Sequence, residues 1–371
     1  MKLFAQTQLL EDVQGKGLCV GCGACVDLCP YFTTYRGKTA MLFPCDRETG
    51  RCFAYCPKAE VDYDEVYKAR TGRAFDGTPI GPHLETYKAK AGEKTAECTF
   101  QCGGTVTALI SCALDNKMIS GAVLTDSEGR MPKPRLVRTS EQARDCAGSK
   151  YSASPTLSVV NQEAKRGVRN MGVVATPCQA LAISQMKMNP TDKPDFEDPV
   201  SLVIGLFCTW ALDARKLEAL LAEKGIEGKI IKADVPPPPA EVFVVETDQG
   251  TVEIPLAEVR EIIPEGCSIC PDMTSELADV SVGQVEGDAG FNTLIIRTQK
   301  GAELVKTAIS QGYLVTETLD GDKVHNLATA SANKKKRALA KAKEMGLLNT
   351  PDEEGRAAMR VSEGALNKIQ P

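Results

Sequence analysis

Met171-Gly172-Val173-Val174-Ala175 reads as a buried strand, and past Thr176-Pro177-Cys178 residues 179–186 read as the next helix. The same alternation extends outward in both directions. Upstream lie a helix over 106–114 and on to Met118, a strand over 121–125 and a helix over 155–164. Downstream come a strand over 201–207 and a helix over 213–224, whose Leu217, Leu220 and Leu221 form one stripe stopped by Gly225. Strands alternating with helices predict an α/β domain with parallel β-α units. Further on, Pro236 to Pro239 exclude helix and central strand. Residues 242–246 and 252–254 around Asp248-Gln249-Gly250 predict a hairpin. A final strand is expected at 280–282 or 294–297 and a helix at 331–345, with a polar, poorly ordered tail beyond Asn349.

The 371 residues carry fifteen cysteines, and the N-terminal part is dense in them. Cys19-x2-Cys22-x2-Cys25-x3-Cys29-Pro30 has the spacing by which bacterial ferredoxins hold cubane clusters, the fourth thiolate serving a second cluster. Zinc is the alternative for four soft ligands, but zinc ribbons set two Cys-x2-Cys knuckles well apart. Cys45-x6-Cys52-x3-Cys56-Pro57 resembles a second copy, with Glu48 where a cysteine is expected. Two-cluster pairing assigns Cys19, Cys22, Cys25 and Cys56 to the first 4Fe-4S cluster and leaves Cys29, Cys45 and Cys52 for the second, one ligand short. Cys98, Cys102, a non-cysteine ligand or a three-iron cluster are the ways to complete it; a single cluster with spare thiols is the simpler reading. A small α+β ferredoxin-like domain with its connector is therefore expected over 1–75, and the larger α/β domain over 76–371. The polar stretch 58–95 reads as connector, and no internal repeat is found.

Four more thiols sit at loops or strand ends. Cys178 and Cys208 each follow a predicted strand, and adjacent parallel strands bring such ends to one side of a sheet. Cys267-x2-Cys270 can close a four-thiolate site with them, giving two or three clusters in all. A nucleophilic Cys178 competes with this, but the only histidines, His83 and His325, are distant in sequence. Gly103-Gly104 ahead of a helix lets backbone N–H groups approach a phosphate, with Thr105 and Thr107 as hydroxyl donors. Lys150 among Ser149, Ser152 and Ser154 supplies charge and hydrogen bonds for a pyrophosphate. The same residues also suit an ordinary loop and helix cap. There is no Gly-x-Gly-x-x-Gly fingerprint, which disfavours a standard dinucleotide site.

A net charge of −5 gives no electrostatic case for nucleic acid or an anionic membrane surface. No run of apolar residues is long enough for a membrane span, and residues 1–12 have no signal-peptide core. Cys-x2-Cys motifs without an export signal point to metal in a reducing cytoplasm. The basic run Lys334-Lys335-Lys336-Arg337 reads as a solvated helix face.

From about residue 85 to 345 the chain resembles the beta-subunit family of coenzyme F420 hydrogenases and dehydrogenases. The resemblance rests on Gln101-Cys102-Gly103-Gly104-Thr105-Val106-Thr107-Ala108-Leu109, on Gly148-Ser149-Lys150-Tyr151-Ser152-Ala153-Ser154-Pro155, and on Ala175-Thr176-Pro177-Cys178-Gln179. Gly205-Leu206-Phe207-Cys208, Cys267-x2-Cys270-x-Asp272 and Ala278-Asp279-Val280-Ser281-Val282-Gly283 follow in the family's order. Ala175 and Cys102 depart from it: a glycine is usual at the first, an acidic or polar residue commoner at the second. The resemblance implies FAD and iron–sulfur cofactors, with Tyr151, Thr176, Pro177 and Gln179 joining the residues around the flavin. It implies hydride exchange between FAD and coenzyme F420 or a similar two-electron carrier, with single electrons passing through the clusters. The partner expected is a subunit of a formate dehydrogenase, hydrogenase or heterodisulfide reductase assembly. A self-standing ferredoxin-dependent flavin reductase of an organic substrate and a non-catalytic electron relay are the alternatives.

Overall fold

The structure, a computed structural model, describes residues 2–95, 98, 100–191, 193, 196–236 and 239–369. Its centre is an eight-stranded sheet formed by β1 (Glu85–Ala91), β2 (Gly121–Glu128), β3 (Met131–Val137), β4 (Met171–Ala175), β5 (Val200–Leu206), β6 (Val280–Val285), β7 (Asp288–Ile296) and β8 (Leu314–Thr318). The spatial order is β8-β1-β7-β6-β5-β4-β2-β3. The four middle strands, β6, β5, β4 and β2, pair in parallel, in register at Val282 with Leu206, Ala175 with Gly205, and Val123 with Val173. Antiparallel strands extend the sheet on both sides.

Alternation along each strand decides which helices cover which face. Ala122, Leu124, Leu202 and Ile204 join a core with the helices Thr105–Asp115 and Gln299–Ser310. Val123 and Val203 point the other way, toward the helices Thr156–Lys165 and Pro177–Met188. The N-terminal residues Leu9, Val13, Leu18, Phe53 and Tyr67 belong to this second core, continuous with Leu157, Ile183 and Leu339. A separate small core lies between the helix Ala214–Glu223 and a three-stranded sheet of Ile230–Asp234, Val242–Thr247 and Gly250–Pro255. The predicted hairpin is the antiparallel pair of that sheet. Within the proline run before it, Pro237 and Pro238 lie outside the described residues.

Several expectations need correction. Both candidate final strands exist, as β6 and β7, and pair antiparallel. The stretch read as connector contains the helix Tyr63–Thr71 and the strand β1. The strand β3, which carries Pro132 and Pro134, is at the sheet's edge, where a missing N–H breaks no ladder. The tail is docked: Met359–Arg360 pairs with Leu348–Asn349 and Val61–Asp62, and Met359, Val361 and Ala365 are buried. The last long helix starts earlier than expected and spans Gly321–Glu344; Lys334 and Lys335 on it are buried, not solvated. Among the described residues no helix is long and apolar enough to cross a membrane.

Candidate metal centres

Cys19, Cys22, Cys25 and Cys56 line one pocket, together with Thr39 and Lys58. The loop bearing the first three must lie flat against two neighbours. Gly21 and Gly23 have φ of 66° and 82°; a Cβ on Gly21 would stand 2.2 Å from the Gly37 carbonyl oxygen, and one on Gly23 2.7 Å from that of Pro155. The helix Thr156–Lys165 pins the loop: the Leu157 N–H donates to the Cys22 carbonyl, and Asn161 Nδ2 donates to the carbonyls of Ala24 and Val26. Cys56 comes from the far end of the short helix Arg51–Ala54. Burial first, and neighbouring thiolates second, push the Cys22 and Cys25 thiols well above their ordinary range; burial and Cys22 do the same to Cys56.

Cys29, Cys45 and Cys52 form a second group. Burial lifts the Cys52 thiol to about 11, with Cys29 and Cys45 adding repulsion. Gln6 orders this loop, its Oε1 accepting from the Cys45 N–H at 2.7 Å and its Nε2 donating to the Phe43 carbonyl. Of the candidates to complete it, Cys98 feels the Arg144 charge, and Cys102 those of Asp234 and Lys232.

The third group is Cys178, Cys208, Cys267 and Cys270. Cys178 is in the first turn of Pro177–Met188, just past β4, and Cys208 lies just past β5, so the parallel register sets both at the sheet's carboxyl edge. Cys267 and Cys270 arrive from the turn following Pro264. Burial raises the Cys178 thiol to about 11, with Cys270 and Cys267 adding to it, and raises Cys208 further still. Asp272 folds the loop after Cys270, its two carboxylate oxygens accepting from the Thr274 and Glu276 N–H groups at 2.9 Å each. Lys334 Nζ donates to the carbonyls of Cys208 and Asp272 at 2.6 and 2.7 Å.

These donor sets suit a thiolate-bound polynuclear metal group. Apolar burial holds free thiols protonated, whereas coordination deprotonates them. Among the described residues no three His, Cys, Asp or Glu side chains meet closely enough to hold a single ion. The groups also adjoin one another: Lys58 lines the pockets of the first and the third, and Cys52 of the second lies on the short helix Arg51–Ala54 from which Cys56 of the first follows.

The residues expected around a flavin divide into two kinds. Some are committed within the fold. Thr105 Oγ1 donates to the Ala89 carbonyl, and the Thr105 N–H is taken by Asn292 Oδ1. Gly103 lets its loop press on β1 and β7, since a Cβ there would stand 3.0 Å from the Ala89 and Gly290 oxygens; Gly104 has φ 77°. Ser154, Thr156 and Gln179 form a buried network: Gln179 Nε2 donates to the Ser154 carbonyl and to Thr156 Oγ1, and the Gln179 Oε1 caps the Thr176 N–H. Thr107 is buried too. The others face the small sheet. Gln101 accepts from the Ser149 N–H and donates to the Ala233 carbonyl, and Tyr151 Oη donates to Asp234 at 3.0 Å. Lys150 Nζ donates to the Ala147 and Gly148 carbonyls, and burial lowers its pKa. Ser152 bridges to Leu212, and Ser149 is exposed. Sequence reasoning missed Lys58, Gln101, Asp234 and Lys334 as parts of these sites. Only Lys58, two residues after the last ferredoxin-type cysteine, had a signal in the sequence.

Fold and site together define an α/β domain with a buried multi-thiol centre at the carboxyl edge of its parallel strands. The chain belongs to the coenzyme F420 hydrogenase/dehydrogenase beta-subunit family: the model of that family's N-terminal part matches residues 86–161 and that of its C-terminal part residues 168–322. The coenzyme F420 hydrogenase subunit beta of Methanothermobacter thermautotrophicus is 32% identical over 278 residues, which are 72% of this chain and 98% of that protein. The coenzyme F420-dependent sulfite reductase of Methanocaldococcus jannaschii is 31% identical over 81% of this chain and 47% of its own length. A chain of the F420-reducing [NiFe] hydrogenase complex from Methanosarcina barkeri superposes with a TM-score of 0.64 at 26% identity, covering 72% of this chain and 95% of that one. The first two thiol groups lie ahead of both family matches, and the loop of Cys22 is pinned by Leu157 and Asn161, which lie inside the first of them.

Proposed function

We propose that this chain is the F420-linked subunit of an oxidoreductase complex, holding FAD in its α/β domain and 4Fe-4S clusters on its three thiol groups. A flavin exchanges hydride with a two-electron carrier and single electrons with clusters, which is the chemistry that such a subunit needs. Toward it, Lys150, Ser149, Ser152, Tyr151 and Thr176 offer charge and hydrogen bonds, while Thr105, Ser154 and Gln179 keep the loops in place. Cys178, Cys208, Cys267 and Cys270 would ligate the cluster nearest the flavin, and Cys19, Cys22, Cys25 and Cys56 the next. Cys22 and Cys56 are buried, and the other thiols of the three groups are partly covered. The observation that carries this reading is that Lys58 lines both the pocket of Cys19, Cys22, Cys25 and Cys56 and the pocket bounded by Cys178 and Cys270, which joins the family's α/β domain to the ferredoxin-type thiols. The names of the relatives support F420 as the carrier and a hydrogenase or sulfite reductase type of partner activity.

The test is flavin, iron and acid-labile sulfide content of the anaerobically purified chain, with F420-dependent dye reduction measured on the same sample. FAD, iron and F420 oxidation together are expected. Iron-rich protein that takes up no flavin on reconstitution overturns the hydride reading in favour of an electron relay, and zinc in place of iron overturns both.

A further inference from the structure

Two of the thiol groups lie beside pockets that share one lining residue. Lys58 lines the pocket of Cys19, Cys22, Cys25 and Cys56, and it lines the pocket bounded by Cys178, Cys270 and Asp272. Its side chain is buried, with a relative exposure of 3%. Its charge reaches Cys56 on one side and Cys178 and Cys267 on the other. The carboxylate on the second pocket, Asp272, is already engaged by the Thr274 and Glu276 N–H groups. Lys334 is a useful contrast. It is equally buried, but it faces Cys208, Cys267 and Cys270 of the third group alone.

We propose that Lys58 is a cation shared by the two thiol groups, positioned so that one charge raises the reduction potential of the metal group on each side. The proposal rests on the iron–sulfur reading above. Four thiolates give a cluster net negative charge, and each added electron makes it more negative; a buried cation therefore favours the reduced state. A cation placed between two such groups moves both potentials upward together, changing the gap between them less than a cation on one side would. Lys334, placed on one side, moves only one. Lys58 thus acts as a positioning and tuning residue and donates nothing to a reacting atom.

The experiment uses the full chain, reconstituted anaerobically, as wild type, Lys58→Met and Lys58→Arg. Methionine keeps the length and volume and removes the charge; arginine restores the charge. Iron and sulfide are measured first, then both midpoint potentials by redox titration followed by paramagnetic resonance. Lys58→Met is expected to lower both potentials by at least about 59 mV, a tenfold change in a one-electron equilibrium, and Lys58→Arg to restore them. Loss of iron in Lys58→Met with full iron in Lys58→Arg also supports the role of the charge. Potentials unchanged at wild-type iron content, a shift of only one group, or loss of iron in both variants overturns it. A wild type that takes up no iron fails differently: it sinks the cluster reading itself.

Discussion

Lys334 and Lys335 are consecutive residues with unlike work. Lys334 reaches the carbonyls beside the third thiol group, whereas Lys335 is buried against the Glu276 carboxylate, both side chains 1% exposed. Glu276 also accepts from Tyr67 Oη at 2.9 Å, so the pair ties the C-terminal helix to the helix Tyr63–Thr71. Breaking a buried pair leaves one charge uncompensated, and Lys335→Met is expected to cost about 3–5 kcal/mol near neutral pH. Burial raises the Glu276 pKa above its ordinary value, and Lys335 pulls it back down. Removing Lys335 lets the folded-state pKa climb further. A raised carboxyl pKa gives stability that is present below the unfolded value and lost as pH rises through the folded one. The deficit of the variant should therefore be larger at about pH 8 than at about pH 5, read as the shift of urea midpoints against wild type. A deficit that shrinks with pH refutes the pairing. At the proposed flavin site, Lys150→Ala removes the one long cation of the Gly148–Pro155 loop and is expected to weaken FAD retention by about 1.5–3 kcal/mol, roughly ten- to hundredfold. Equilibrium dialysis of FAD against wild type and variant checks this, and equal retention removes Lys150 from the site.

At the scale of elements, the tail is a fastener. The N–H groups of Glu60 and Val61 donate to the carbonyls of Ala357 and Ala358, and Arg360 pairs with Glu60 at 3.0 Å. Truncation after Leu347 uncovers the sites of Met359 and Val361, which alone is worth roughly 3–6 kcal/mol of burial. Because Glu60 stands four residues beyond Cys56, the cut is expected to loosen the first thiol group and spare the third. Limited proteolysis should then cleave between residues 40 and 62 faster than in wild type; an unchanged pattern shows that the N-terminal part does not depend on the tail. The tail was illegible in sequence because its burial comes from docking a short segment, with no period of its own. The strand β1 was missed for a related reason. Tyr87, Ala89 and Ala91 alternate with Lys88 and Lys90, whose ammonium groups lie over the Phe291 ring at 4.2 and 4.6 Å. A strand with one basic face looks like a connector until its aromatic partner is known. The parallel strands were legible, because burial on both faces gives unbroken apolar runs such as 171–175. The Cys-x2-Cys spacings were legible because two thiols that close in chain can face one group whatever the rest of the fold does. Lys334 was not, since a lysine's burial is decided by what packs over it.

Across the whole molecule the thiol groups stand in series. The third adjoins the first across Lys58, and the first adjoins the second at the short helix Arg51–Ala54, which carries Cys52 and leads into Cys56. If each carries a cluster, the chain should hold about eleven to twelve irons, the lower figure corresponding to a three-iron second cluster. The series makes the three groups unequal in consequence. Cys267→Ser removes a ligand of the group nearest the proposed flavin, some two hundred residues from the ferredoxin run, and is expected to erase one paramagnetic signal and leave two. Cys56→Ser acts on the middle. It should leave the flavin end competent to accept hydride and the second group intact in iron, yet separate them by the width of a missing relay. Reduced F420 added to that variant is therefore expected to bleach the flavin while the cluster on Cys29, Cys45 and Cys52 stays oxidised. Dithionite, which meets the clusters from solvent, should still reduce it. Reduction of that cluster by F420 at the wild-type rate would show that electrons bypass the middle group, and the serial order of the three groups would fall.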